Sequence, residues 1–141
     1  MSAPLIIALI ATVALFATTA YFLFGSVPLL VLRHDTPMDA RFVRGFFNTY
    51  YRTVAGAAGV AAIGYAISGR LPIGAGAAAL AILAIVLRHL FIPKMEALGA
   101  EMQEAGASAI SRFRRIHIAA IAINFLQLVS IVATLILATR P

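Results

Sequence analysis

Apolar residues in this chain come in long runs rather than in the short alternations of a water-soluble domain. From Ile116 to Thr139 there is no Asp, Glu, Lys or Arg. At about 1.5 Å per residue, such a run crosses a hydrocarbon core of about 30 Å. Within it His117, Asn124, Gln127 and Thr134 recur at spacings of seven, three and seven, which sets them along one helical face. Polar groups at bilayer depth are costly unless paired, so this face is expected to look into a bundle supplied by the rest of the chain.

Three earlier segments supply it. Residues 4–32 are free of charge and exceed the roughly 20 residues a span needs, so tilt or a kink is expected, with Gly25-Ser26-Val27-Pro28 as the place for it. The run passes the small residues Ala17 to Ala20 with no Lys or Arg before it, which predicts a retained helix rather than a cleaved signal. Thr36-Pro37-Met38-Asp39 has the chemistry of a helix start: a hydroxyl cap, a proline in the first turn and an acid beside it. The second helix, 37–68, begins amphipathic with Arg41, Arg44, Asn48 and Arg52 among Phe42, Phe46, Phe47, Tyr50 and Tyr51, and turns apolar from Thr53. Aromatic rings favour the headgroup level, and Arg52 can extend to it from just inside. After the turn at Gly69-Arg70-Leu71-Pro72 a third helix is predicted over 72–90. Residues 94–111 read as a polar segment with a short surface helix broken at Gly106-Ala107-Ser108. A fourth helix then covers 113–139. The predicted fold is all-α: an integral membrane four-helix transmembrane bundle forming a single domain, 1–141.

Two short echoes raise the alternative that the bundle is a pair of repeated hairpins. Val31-Leu32-Arg33-His34 recurs as Val86-Leu87-Arg88-His89, and Arg41-Phe42-Val43-Arg44 resembles Arg112-Phe113-Arg114-Arg115. Leu, Val and Arg are common at helix ends, so chance accounts for matches of this length as well as duplication does. Small residues carry a different message. Gly56, Gly59 and Gly64 on the second helix, and Gly74 and Gly76 on the third, allow close helix approach. Together they offer more such surface than one contact between those helices uses. Some of it is expected to face another chain, as a homo-oligomer or as a subunit of a larger membrane complex.

Composition agrees with the pattern: 62% of residues are hydrophobic and 11% charged, outside the range of soluble domains. The formal charge of +6 would suggest nucleic acid in a soluble protein. Here the basic residues flank the apolar runs, so topology and the lipid bilayer explain them. Arg33, Arg41, Arg44, Arg52, Arg88, Lys94, Arg112, Arg114 and Arg115 fall on one side, against Arg70 and Arg140 on the other. By the positive-inside rule the first side is expected to be cytoplasmic, with both termini non-cytoplasmic, as in a multi-pass protein of a bacterial inner membrane. The absence of cysteine excludes disulfides, thiolate-held metals and thiol catalysis.

The approach to the last helix, Phe113-x-x-x-His117 with Asn124 and Gln127-Leu128 beyond it, and the segment Ile92-Pro93-Lys94-Met95 resemble a small four-helix membrane family whose animal members are associated with cisplatin resistance. The likeness covers about the last 50 residues best. A proline followed by a polar pattern is also similar to anthrone-oxygenase-like membrane proteins, although Lys94 and Glu96 stand where an asparagine would be expected. Neither resemblance implies a catalytic residue at a matching position.

Candidate chemistry is sparse. His34, His89 and His117 are expected near one membrane edge on three helices, where imidazoles can ligate a transition metal or a haem iron. The same positions suit ordinary helix-end cations, which is the favoured reading. With Asn124, Gln127 and Arg52 they form the candidate ligand-binding set, for a quinone-like or other lipophilic molecule. His34-Asp35 with Glu96 could pair as acid and base, though carboxylates beside arginines are more often solvated or ion-paired. No ionisable residue is expected near the bilayer midplane, which disfavours a proton-driven transporter. The expected function is that of a non-enzymatic membrane interaction or assembly protein, or of a self-associating bundle that binds a lipophilic ligand. The alternatives are a haem-, metal- or quinone-using enzyme and an efflux component for small solutes, drugs or metals, and no particular cofactor is indicated.

Overall fold

A computed structural model describes residues 2–31 and 36–139. Among them are four helices and no strand: α1 (Ala3–Leu29), α2 (Pro37–Ile67), α3 (Leu71–Ala105) and α4 (Ala107–Thr139). Each helix packs on two others, α2 on α1 and α3, and α4 on α1 and α3. The result is a four-cornered all-α bundle with α2 diagonal to α4 and the α2–α3 contact the most extensive. Helices α1, α3 and α4 are long and apolar enough to cross a membrane. The molecule is a membrane protein.

The start of α2 forms as its sequence suggests. The Thr36 hydroxyl accepts from the Asp39 N–H at 3.2 Å, filling one of the unpaired donors of the first turn. The turn to α3 depends on Gly69, whose φ of +76° side chains disfavour. Tight contacts between backbones sit at two other glycines. A Cβ at Gly64 would lie 2.9 Å from both Ala8 Cβ and the Pro4 carbonyl oxygen of α1, and one at Gly74 would lie 3.1 Å from the Ala62 carbonyl of α2.

The polar segment expected at 94–111 is different from its prediction. Helix α3 runs unbroken through Pro93 to Ala105, and Gly106, with φ +53°, is the one residue between it and α4. Met95, Leu98 and Met102 are buried in the same core cluster as Ala40, Val43, Ala109 and Phe113. Burying three such side chains beyond the apolar span is worth up to about 5–9 kcal/mol, which outweighs the roughly 3 kcal/mol cost of a proline inside a helix. The charges on the other face are paired across the bundle. Arg44 meets Glu96 at 2.6 Å, and Arg112 meets Glu101 at 2.6 Å. Both pairs are largely exposed and contribute at most about 1 kcal/mol each.

Of the first echoed tetrapeptide only Val31 is among the described residues. Val31 lies just past the end of α1, whereas Val86 to His89 continue in the middle of α3. Leu32, Arg33, His34 and Asp35, and Arg140 at the other end, lie outside the described residues.

Candidate functional site

The interior of the bundle is polar on three sides and apolar on the fourth. From α1 come Thr12, Thr19 and Ser26, spaced by sevens, all buried. Helix α4 adds His117, Asn124 and Gln127, also buried, on one face with Ala120 and Ile131. Helix α2 contributes Tyr50, Tyr51 and Tyr65, each fully buried. The inward positions of α3 are Ala77, Ala81, Ala84 and Leu87. Small side chains there let α3 pack closely while the larger tyrosines of α2 fill the centre.

Contacts link these groups into a seam along the bundle axis. At one end the Thr12 hydroxyl, which donates to the Ala8 carbonyl at 2.7 Å, lies 3.0 Å from the Tyr65 hydroxyl. Midway, the Tyr50 hydroxyl donates to Gln127 Oε1 at 2.8 Å, joining the two diagonal helices. The Thr19 hydroxyl lies beside Tyr50 without reaching hydrogen-bond geometry. Towards the basic end the rings of Tyr50 and Tyr51 are 5.3 Å apart, Tyr51 stacks near Phe47 at 6.1 Å, and Phe47 meets the His117 imidazole edge to face at 5.5 Å. The hydroxyl of Tyr51, both amide atoms of Asn124 and Nε2 of Gln127 are buried with no hydrogen-bond partner among the described residues.

The predicted site residues separate. His117, Asn124 and Gln127 come together in the seam. Thr134, expected on the same face, is half-buried and bonds its own Ser130 carbonyl at 2.9 Å. His89 is exposed on the outside of α3, so its imidazole does not face the interior in which His117 is buried, and His34 is outside the described residues. Among the described residues no group of three His, Cys, Asp or Glu is placed to hold a metal ion. Arg52 is exposed on α2 beside Thr49 and Thr53. Asp35 is not described, and Glu96 is engaged by Arg44 rather than by a histidine. Of the helix-packing glycines, Gly64 and Gly74 are used within the bundle. At Gly56, Gly59 and Gly76 an added Cβ would meet nothing within 4 Å.

Sequence reasoning missed the tyrosines and the α1 hydroxyls as part of the site. The aromatic clustering around Tyr50 and Tyr51 suggests a headgroup belt, yet both are fully buried. The recurrence of Thr12, Thr19 and Ser26 at heptad spacing was the available signal. Chemically the seam offers neutral donors and acceptors and one imidazole. Asn and Gln amides and tyrosine hydroxyls recognise uncharged hydrogen-bonding groups.

The chain matches no protein-family model, no curated protein and no solved structure.

Proposed function

We propose that this protein is a non-enzymatic membrane assembly protein that self-associates through the outward face of α2, with its basic end on the cytoplasmic side. One observation carries the reading. Alone among the four helices, α2 does not have the composition of an independent span, and the surface it turns away from the bundle combines Arg52, Thr53, Gly56 and Gly59, which no other helix covers. Lipid gains little from contact with such a face. A second α2 gains more, because glycines at helical spacing let two backbones approach and accumulate van der Waals contact. A two-fold interface presents the same patch from both copies, so one flat face suffices.

The absence of cysteine makes the test clean. Single cysteines at Gly56, Val60 and Ile63 should form disulfide-linked dimers in membranes under oxidation, while cysteines at Leu126 and Ile136 on α4 should not. Gly56→Leu and Gly59→Leu should release monomer that remains inserted. A monomer by light scattering in mild detergent, with no crosslinking from α2, refutes self-association, and a single crosslinked product with a different protein would make α2 a docking face for a larger complex instead. A cysteine at Ser108 should resist impermeant thiol reagents in intact cells, and its labelling would reverse the orientation.

A second reading has its own observation. Tyr51, Asn124 and Gln127 leave unpartnered hydrogen-bonding atoms together in the seam, which suits the polar group of a neutral lipophilic molecule. Mass spectrometry and an absorption spectrum of protein purified in mild detergent test it. A stoichiometric small molecule would support it, and a Soret band would favour the haem-enzyme alternative.

A further inference from the structure

We infer that the groove between α1 and α2 at the basic end is a binding site for an anionic phospholipid, with Arg41 holding the headgroup phosphate. The groove encloses about 530 Å³. Its walls are aromatic: Tyr21 and Phe22 from α1, Phe42 and Phe46 from α2. The rings of Phe22 and Phe46 are 4.5 Å apart in a tilted arrangement, and Tyr21 meets Phe22 edge to face at 5.4 Å, so the walls pack on each other. Gly45 forms the floor. It lies between Phe42 and Thr49 on the α2 surface, and an added Cβ there would meet nothing within 4 Å. A side chain at this position would project into open space.

Arg41 stands at the mouth. It also borders the adjoining polar groove beside Arg44 and Glu96, but Glu96 is taken by Arg44, and among the described residues Arg41 has no ion pair. A guanidinium with no ion pair among the described residues therefore borders an apolar, aromatic slot in the half of the chain where basic residues collect. Charge complementarity selects the occupant. A guanidinium binds phosphate oxygens bidentately, the slot takes the upper part of an acyl chain, and rings of this kind favour headgroup depth. Zwitterionic lipid fills the slot but brings its own cation to the mouth, so selectivity for net negative headgroups follows. This site does not depend on whether α2 also docks a second copy.

The test uses the full chain, delipidated in mild detergent. Binding of phosphatidylglycerol and of phosphatidylcholine is compared by native mass spectrometry and by the rise in melting temperature on lipid addition. Phosphatidylglycerol should bind about fivefold more tightly, as expected for one basic residue near a headgroup. Arg41→Gln should abolish that preference while phosphatidylcholine binding stays the same, and Arg41→Lys should retain most of it. Gly45→Leu, whose Cβ meets nothing within 4 Å and whose remaining side chain extends into the groove, should weaken both lipids alike. Inorganic phosphate at matching concentration should not raise the melting temperature. The inference is wrong if Arg41→Gln leaves the preference intact, if Gly45→Leu changes nothing, or if inorganic phosphate alone reproduces the stabilisation.

Discussion

Tyr50→Phe removes one oxygen from the centre of the bundle and leaves its shape unchanged. That oxygen donates to Gln127 Oε1 at 2.8 Å, and Gln127 Nε2 has no partner. The substitution therefore leaves the whole Gln127 amide buried and unpaired. Hydrogen bonds between membrane helices average about 0.6 kcal/mol and reach about 1.7, while stranding a buried polar group costs about 1–3 kcal/mol. The expected loss is about 1–2 kcal/mol. Gln127→Leu removes the same bond from the other side but leaves a hydroxyl that has Thr19 beside it as a substitute partner, so its cost should be below about 1 kcal/mol. The double variant has neither the amide nor the hydroxyl to satisfy and should lie close to the wild type. Unfolding in sodium dodecyl sulfate followed by circular dichroism measures all four proteins, and the chain has no tryptophan to complicate a fluorescent alternative. If Gln127→Leu costs more than Tyr50→Phe, or if the two effects add within about 0.3 kcal/mol, the two diagonal helices are not coupled through this bond.

Gly64→Ala should destabilise the bundle by about 1–3 kcal/mol, because the new Cβ collides with α1 backbone and Ala8; unchanged detergent stability would show that α1 and α2 are not in close contact. Gly76→Ala, with nothing within 4 Å, should leave the melting temperature of the monomer unchanged or slightly raised, and a fall would place an unseen neighbour there. Asn124→Val removes an amide that makes no hydrogen bond although fully buried, so stability in the same assay should hold or rise. A loss above about 1 kcal/mol would mean the amide has a partner. Glu96→Gln should cost less than about 1 kcal/mol in a low-salt melt, since both ends of the Arg44 pair reach solvent.

Helix count and the inward face of α4 were legible because both are periodic signals. His117, Asn124 and Gln127 share a face whatever the rest of the bundle does. Thr134 shows the limit of that logic: a small hydroxyl can bond its own Ser130 carbonyl, so it places no demand on a neighbour and its position carries no information about the interior. The long α3 was missed for a different reason. Pro93 and the charges at Lys94, Glu96 and Glu101 read as the end of a helix, although Met95, Leu98 and Met102 keep helical spacing among them. Whether His89 joins His117 was beyond reach of the sequence, since each lies on the same bundle end in any topology, and rotation of α3 alone decides which way an imidazole points.

The hydroxyls of this bundle have a bearing on the order in which it is made. Thr12, Thr53, Ser130, Thr134 and Thr139 each donate to the carbonyl four residues back, and Ser26 to the one three back. These groups are satisfied within their own helix, so they place no demand on a neighbour when α1 and α4 enter the bilayer; Thr19 of α1, whose hydroxyl makes no such bond among the described residues, is the exception. Amides and tyrosines have no such recourse. Gln127 gains its partner only when α2 reaches α4 across the diagonal, which requires α1 and α3 to be in place on either side. Biogenesis then has a natural last step, the closing of the Tyr50 to Gln127 bond, and a chain stalled before it would be inserted yet carry an exposed amide for quality control to recognise.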